Sequence, residues 1–388
     1  RRCSGYWPPG SRPSTAAWLI SRIGNNEDLN TTQKASLILA INEIHGKVNS
    51  VESQLAQTEK RIEEESLSRR LSMGTLNLDG IKRLPPKLGG KVSLEPALRH
   101  PSNPIIPKGN PGEWDSGAVR GFVPLIDENG LLAKIDDNYV GYYTGTDDSN
   151  SNRQIGRADC TDEQLVNWNK VLNNPVLVGS GSGWDSGGVA TGSAIKMDDG
   201  EIRLYYGGYD ENLRSTDIGL AISTDGTSFS RHSLNPLITR SMFNLRSEGV
   251  TAVPYVIKTS KGWYCLFEGS IRGSYTWGIF GAKSDNGIDN WVALNDGNPI
   301  LGGRKGDWTR AGVANPKLLE LDIGKFLMIY NAASQPNHFR LTAAYTENED
   351  LLGWEIYPPF FGQAGNSEND WDTHRIEDGV IVKDDIIN

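Results

Sequence analysis

The chain repeats itself, and a repeat of about 60 residues leaves few folds open to it. Five stretches align without a gap: Trp114-Asp115-Ser116-Gly117-Ala118-Val119, Trp184-Asp185-Ser186-Gly187-Gly188-Val189, Leu245-Arg246-Ser247-Glu248-Gly249-Val250, Trp308-Thr309-Arg310-Ala311-Gly312-Val313 and Trp371-Asp372-Thr373-His374-Arg375-Ile376. They are spaced by 70, 61, 63 and 63 residues. A second marker precedes the first four in the same phase: Asn103-Pro104, Asn174-Pro175, Asn235-Pro236 and Asn298-Pro299. Two markers in one phase define a structural unit rather than a chance similarity.

Each unit has β texture. In the second, Glu201 to Gly208 and Ile218 to Ser223 read as strands, followed by the turn Thr224-Asp225-Gly226-Thr227 closing on Phe229. The third offers Gly262 to Gly269, Trp277 to Lys283 and a turn through Asp285-Asn286-Gly287 closing on Trp291; the fourth offers Lys325 to Tyr330 and Leu341 to Tyr345. Four strands in about 60 residues is the size of a propeller blade. The expected fold is mainly β: a five-bladed β-propeller over residues 103–388, with four complete blades and only the first strand, Ile376 to Val382, of a fifth. Closing the ring then requires residues outside this sequence or strands from around Leu76 to Leu94.

The first hundred residues have a different texture. Residues 1–29, rich in Pro, Gly, Ser and Asn, read as an arm that orders against a partner. Residues 30–70 read as a helix, with Asn30 and Thr31 as candidate N-caps. Leu37, Ile41, Ile44, Val48, Val51, Leu55, Thr58 and Ile62 step alternately by 4 and 3, the seam of a coiled coil. β-Branched residues at both core positions favour three strands, so a homotrimer through residues 37–62 is expected. The alternative is one amphipathic helix lying on the propeller. Residues 71–102, broken by Pro85-Pro86, Gly89-Gly90 and Pro96, form a connector.

Composition narrows the partners. A formal charge of −9 and a pI near 5.2 disfavour nucleic acid and anionic membrane, which need a positive footprint. No apolar run is long enough to predict membrane insertion. Cys3, Cys160 and Cys265 have neither disulfide nor zinc spacing, and Cys265 reads as a buried structural thiol. No metal constellation and no cofactor motif stands out.

The repeat also separates structure from function: a residue that builds every blade recurs, whereas one needed for a single reaction breaks the symmetry. By that test Trp114, Trp184, Trp308 and Trp371 are wedges between blades. Asp115, Asp185 and Asp372 cap backbone N–H groups, with a second role near the channel mouth left open. The symmetry-breakers are Arg246 and Glu248 in the third unit, Arg310 in the fourth, His374 and Glu377 with Asp378 in the fifth, and Arg120, whose column otherwise holds Ala190, Thr251 and Ala314. Glu268, late in the second strand of the third blade, reaches the same mouth. Carboxylates among arginines and tryptophans suit glycan chemistry: acid and base split the bond, guanidinium orients hydroxyls, and indole stacks on sugar.

Two resemblances add to this reading. Thr31-Thr32-Gln33-Lys34 followed by Leu37-Ile38-Leu39-Ala40-Ile41-Asn42-Glu43-Ile44 resembles a short element near the N-termini of bacteriophage tail fibre and tailspike proteins. Residues 103–388 resemble the five-bladed propeller glycosidases, among them arabinanases, invertases, levanases and mannoside phosphorylases. That likeness rests on Asp199 to Gly208, Ile218 to Gly226, the recurring Asn-Pro and Pro254 to Phe267. In the arabinanase type, acidic residues stand on the first three inner strands; here the matching positions hold Gly121 or Phe122, Thr191 or Gly192, and Ala252. Either the site is rebuilt from Glu248, Asp115 and Asp185 nearer the mouth, or the propeller binds sugar without cleaving it. Family members sometimes hold calcium in the channel, for which His374 is the first residue to inspect.

The expected protein is a virion tail fibre or tailspike, made in the host cytoplasm and acting at the cell surface. It docks on other tail or baseplate proteins through residues 1–29 and recognises a bacterial surface polysaccharide. The alternatives are an active glycoside hydrolase and a purely structural tail component. If it cleaves, Glu248 is the expected acid, Asp115 the base, and Asp185 the residue that tunes the acid. Arg120, Arg246, Arg310, Glu268, Trp114, Trp184, Trp308, Trp371, His374 and Glu377 are the expected substrate contacts.

Overall fold

The computed structural model describes residues 30–45, 47, 104–149, 151–246, 252–274, 276–303, 309–333 and 339–357, with the backbone of two short paired strands, Lys82–Arg83 and Ser93–Leu94. The chain divides into two compact units, residues 1–78 and 79–388.

In the first unit a helix runs over residues 31–45. Asn30 caps it: the Gln33 amide donates to Asn30 Oδ1 at 2.9 Å while the Asn30 amide donates to Gln33 Oε1 at 3.0 Å. This reciprocal pair satisfies two backbone donors that the helix cannot. Leu37 and Ile44 of the expected seam are 42% and 61% exposed. The seam from Val48 to Ile62 lies outside the described residues, as does the arm of residues 1–29.

The second unit is a β-propeller of which four blades are described. The first comprises Ala118–Asp127, Asn138–Thr146, Arg153–Cys160 and Trp168–Lys170; the second Gly188–Lys196, Ile202–Tyr209, Ser215–Ser223 and Ser230–Arg231. The third comprises Ala252–Thr259, Gly262–Ser270, Trp277–Ser284 and Val292–Ala293; the fourth Gly312–Asp322, Lys325–Ala333, Phe339–Thr346 and Glu355–Ile356. Within each blade the strands are antiparallel neighbours in chain order, so every connection can be short. The inner strands of the first two blades touch in parallel from Leu125–Asp127 to Ala194–Lys196. The fifth blade, expected from Ile376 onward, lies outside the described residues.

The core sits between blades. One cluster joins Tyr142 and Ile155 of the first blade to Val189, Leu204 and Tyr206 of the second. A second joins Tyr205, Leu220 and Trp263, and a third joins Tyr264, Leu318, Phe326 and Tyr330. Each sheet is therefore apolar on both faces, which explains strands that read as near-continuous apolar runs. Cys265 is fully buried in the second cluster, and burial pushes its thiol pKa up.

The hairpin turns bolt one blade to the next. Tyr142 Oη donates to Gly226 O of the following blade at 2.9 Å, Tyr205 Oη to Gly287 O at 2.9 Å and Tyr264 Oη to Glu349 O at 2.8 Å. Arg157 Nη1 and Arg203 Nη1 add bonds to Asp225 O and Asn286 O. The Asp-Gly and Asn-Gly turns thus present carbonyls to the preceding blade as well as reversing the chain.

Candidate functional site

The Trp-Asp and Asn-Pro markers prove to be parts of one network. In the first blade the Trp114 ring stacks on Tyr143, with centroids 5.6 Å apart, and Asp115 Oδ2 accepts from Tyr143 Oη at 3.1 Å and Lys170 Nζ at 2.6 Å. Asn174 completes it: its Nδ2 donates to Tyr143 Oη and Arg157 O, and its Oδ1 accepts from the Arg157 amide. The second blade repeats every part. Trp184 stacks on Tyr206 at 5.4 Å, Asp185 Oδ2 accepts from Tyr206 Oη at 3.1 Å and Arg231 Nε at 2.7 Å, and Asn235 bridges Tyr206 and Leu220. Ser180 Oγ donates to the other oxygen of Asp185 at 2.5 Å.

Both carboxylates are 2% exposed and ion-paired. A base must reach a water or a hydroxyl on the substrate, and these two are sealed against their own blades. The structure holds both in ion pairs within their own blades, which speaks against the base role expected of Asp115 and the tuning role expected of Asp185. It also corrects their capping role, because their side-chain partners are a phenol, a cation and a serine rather than backbone amides. Trp114 and Trp184 are likewise wedged: a Cβ at Gly208 would meet the Trp184 ring and Asp185, and one at Gly145 would meet Trp114 and Asp115. One face of each indole is stacked on a tyrosine of its own blade.

The third blade builds the same clasp without charge. Leu245 stands for Trp, Phe267 for Tyr and Ala293 for the cation, and a Cβ at Gly269 would meet Leu245. Arg246 occupies the clasp carboxylate's column; it is half-buried, and its amide donates to Ser270 O at 3.1 Å. Arg310 is exposed in the turn before the fourth inner strand. Glu248, Trp308, Trp371, His374 and Glu377 lie outside the described residues. Among the described residues no group of three or more His, Cys, Asp or Glu could hold a metal ion.

What the blades bring together is a rim of inner-strand bulges. Each inner strand carries one extra residue at the same level, between Arg120 and Val123, Thr191 and Ser193, Ala252 and Tyr255, and Ala314 and Lys317. A bulge turns the strand and re-aims its side chains, as propeller and barrel rims use it to do. Gly121, Thr191, Ala252 and Asn315 fall at these bulges, and Gly121 and Asn315 adopt left-handed φ values of 63° and 51°. Adjacent blades are stitched here: the Thr191 amide donates to Thr144 Oγ1 at 2.9 Å, Thr191 Oγ1 donates to Gly121 O, and the Val256 amide donates to Ser193 Oγ at 2.8 Å.

Glu268 joins this rim from the second strand of the third blade, directly opposite Ala252 in the ladder. Its Oε2 accepts the Asn315 amide of the fourth blade at 3.0 Å, and Asn315 Nδ2 donates to Asn331 Oδ1 at 3.2 Å. Tyr209 of the second blade is 9% exposed, and the Arg153 guanidinium of the first blade lies 4.4 Å from its ring centroid. Burial raises the Tyr209 pKa; the Arg153 and Arg120 charges oppose that rise and the Glu268 charge adds to it, which places all four groups in one electrostatic neighbourhood. Arg120, exposed, pairs with Thr144, and Arg153 pairs with Thr146 two residues along, so both arginines leave the same face of the first blade.

Arg153, Tyr209, Asn315 and Asn331 stand outside the set expected from sequence, which, Glu268 apart, comes from comparing inner strands and their lead-ins. The same column test on second and third strands sets Arg153 against Ser215, Trp277 and Phe339, and Tyr209 against Thr146, Ser270 and Ala333.

No family model and no curated protein sequence matches the chain. Solved structures do. A candidate glycoside hydrolase from Parabacteroides distasonis shares 16% identity, with 74% of this chain and 84% of that one covered at a TM-score of 0.52. A protein solved as an RGII complex matches at 13% identity, 62% and 73% coverage and a TM-score of 0.51. A member of the GH130 mannoside phosphorylase family matches at 13% identity, 68% and 80% coverage and a TM-score of 0.50. The chain therefore has the propeller fold of glycoside hydrolase-like proteins.

Proposed function

We propose that the propeller binds a polysaccharide at its channel mouth and cleaves it as a glycoside hydrolase. The observation that carries this reading is the position of Glu268: its carboxylate is anchored to the bulge rim directly across the ladder from Ala252, where the resemblance to arabinanases puts an acid. Residues opposite one another in an antiparallel ladder have Cβ atoms about 5 Å apart, so a Glu one strand away can serve the same rim. Glu248, in the lead-in to the third inner strand, is the second carboxylate of this scheme. Arg120, Arg246 and Arg310 serve substrate, with Trp308, Trp371, His374 and Glu377 proposed for the same side of the channel.

The test is to incubate the protein with purified bacterial surface polysaccharides and measure new reducing ends. Glu268→Gln keeps an acceptor for the Asn315 amide but cannot carry a proton, so cleavage should fall by about 100-fold or more at an unchanged unfolding temperature. Undiminished cleavage in that variant would remove Glu268 from the chemistry. Binding without any cleavage by the wild-type chain would make the propeller an adhesin.

We propose further that residues 1–29 dock the chain on a phage tail that acts at the host surface and that residues 37–62 join it as a homotrimer. The capped helix and the exposure of Leu37 and Ile44 support a partner for the seam. Light scattering on the full chain should give three times the monomer mass, and a monomer at micromolar concentration would overturn the trimer.

A further inference from the structure

We infer that the saccharide taken at the channel mouth is anionic, carrying a carboxylate or sulfate group that is gripped between Arg120 and Arg153. This inference rests on the glycan-binding reading above and narrows it.

The geometry supplies the argument. Arg120 and Arg153 project from one face of the first blade, two residues apart along adjoining ladders, towards the second blade. Arg153 forms a parallel bridge with Gly188 of that blade, and its guanidinium lies over the Tyr209 ring at 4.4 Å. An aromatic face under a guanidinium fixes its plane and leaves its edge N–H groups as the directional part, suited to two-point binding of carboxylate or sulfate. Neither arginine is a structural repeat: the Arg120 column otherwise holds Ala190, Thr251 and Ala314, and the Arg153 column Ser215, Trp277 and Phe339. The cations that recur with the blades are Lys170 and Arg231.

Charge points the same way. The chain as a whole carries −9, so positive groups gathered at one place oppose its general field. Arg246 and Arg310 stand on the lead-ins of the third and fourth blades. The carboxylate facing this set, Glu268, is held by the Asn315 amide at 3.0 Å. A neutral glycan needs hydroxyl-orienting groups and stacking faces; a guanidinium over a buried tyrosine, with a second arginine on the same face of the blade, matches a fixed negative charge on the sugar instead.

The experiment uses the full chain on a glycan array carrying uronic-acid, sialic-acid and sulfated saccharides beside neutral ones. The best anionic binder is then titrated calorimetrically against its methyl-esterified or desulfated twin. The inference expects at least tenfold tighter binding of the charged form, weakening with added salt, and loss of that preference in Arg153→Gln at an unchanged unfolding temperature. Arg120→Gln, at an exposed position, gives the same readout should Arg153→Gln not fold. Binding confined to neutral glycans, equal affinity for the two twins, or a preference that survives both substitutions overturns the anionic class and leaves the glycan reading standing. Binding to no saccharide on the array overturns both.

Discussion

Asp115 and Asp185 show how one residue type in one motif can be mistaken for chemistry. A carboxylate near a channel is a candidate base until its partners are known, and here the partners are a tyrosine and a cation within 3.1 Å. Asp185→Ala should destabilise the propeller by about 2–4 kcal/mol, because Arg231 is left without its charge and Tyr206 without its acceptor. Chemical denaturation followed by tryptophan fluorescence measures this, and the folded fraction should keep its glycan affinity. Loss of cleavage at full stability would restore a catalytic role to Asp185. Glu268 is the converse case: it is visible in the sequence only as an acid late in a strand, and the ladder that sets it opposite Ala252 is what gives it meaning.

At the scale of elements, the glycines decide how closely a clasp can seat. Gly208 and Gly219 lie under the Trp184 ring, and any Cβ there would enter it. Gly208→Ala should therefore cost about 1–3 kcal/mol by overpacking, although alanine is the better strand residue in general. An unchanged or raised unfolding midpoint would show that the ring has room to move. The turns are a second device. Tyr205→Phe removes the hydroxyl that bonds Gly287 O and should lower stability by about 1 kcal/mol without altering the mouth, measurable as a shifted denaturation midpoint with unchanged saccharide affinity. Turn chemistry was legible in Asp-Gly and Asn-Gly, but their docking on the preceding blade was not, since nothing in a dipeptide specifies a tyrosine 82 residues away.

At the scale of the whole molecule, stability is tied to pH through the interfaces between blades. Burial raises the pKa values of Tyr142, Tyr143, Tyr205, Tyr206, Tyr255 and Tyr264. A raised folded-state pKa means that the unfolded chain releases these protons first. Their contribution is complete below about pH 10 and is lost as pH rises beyond it, each group by about 1.4 kcal/mol per pH unit. The fold should accordingly tolerate neutral to mildly alkaline pH and unfold cooperatively above about pH 10, as circular dichroism against pH would record. A gradual, non-cooperative loss would mean that the blades unfold separately.

The sequence by itself determined the phase of the four described units, their strand pattern and the turns between strands, because these follow from local spacing and side-chain period. It determined too that Arg120 is no part of the repeat. Only the tertiary structure decided which recurring columns are clasps and which residues form the mouth. Tyr143 and Lys170 meet Asp115 from two different strands, Asn174 joins them through the Tyr143 hydroxyl, and Arg153, Tyr209 and Glu268 converge from three different blades. Such meetings are set by strand register, bulges and the packing of one sheet on the next, which are long-range properties that no local pattern of residues encodes.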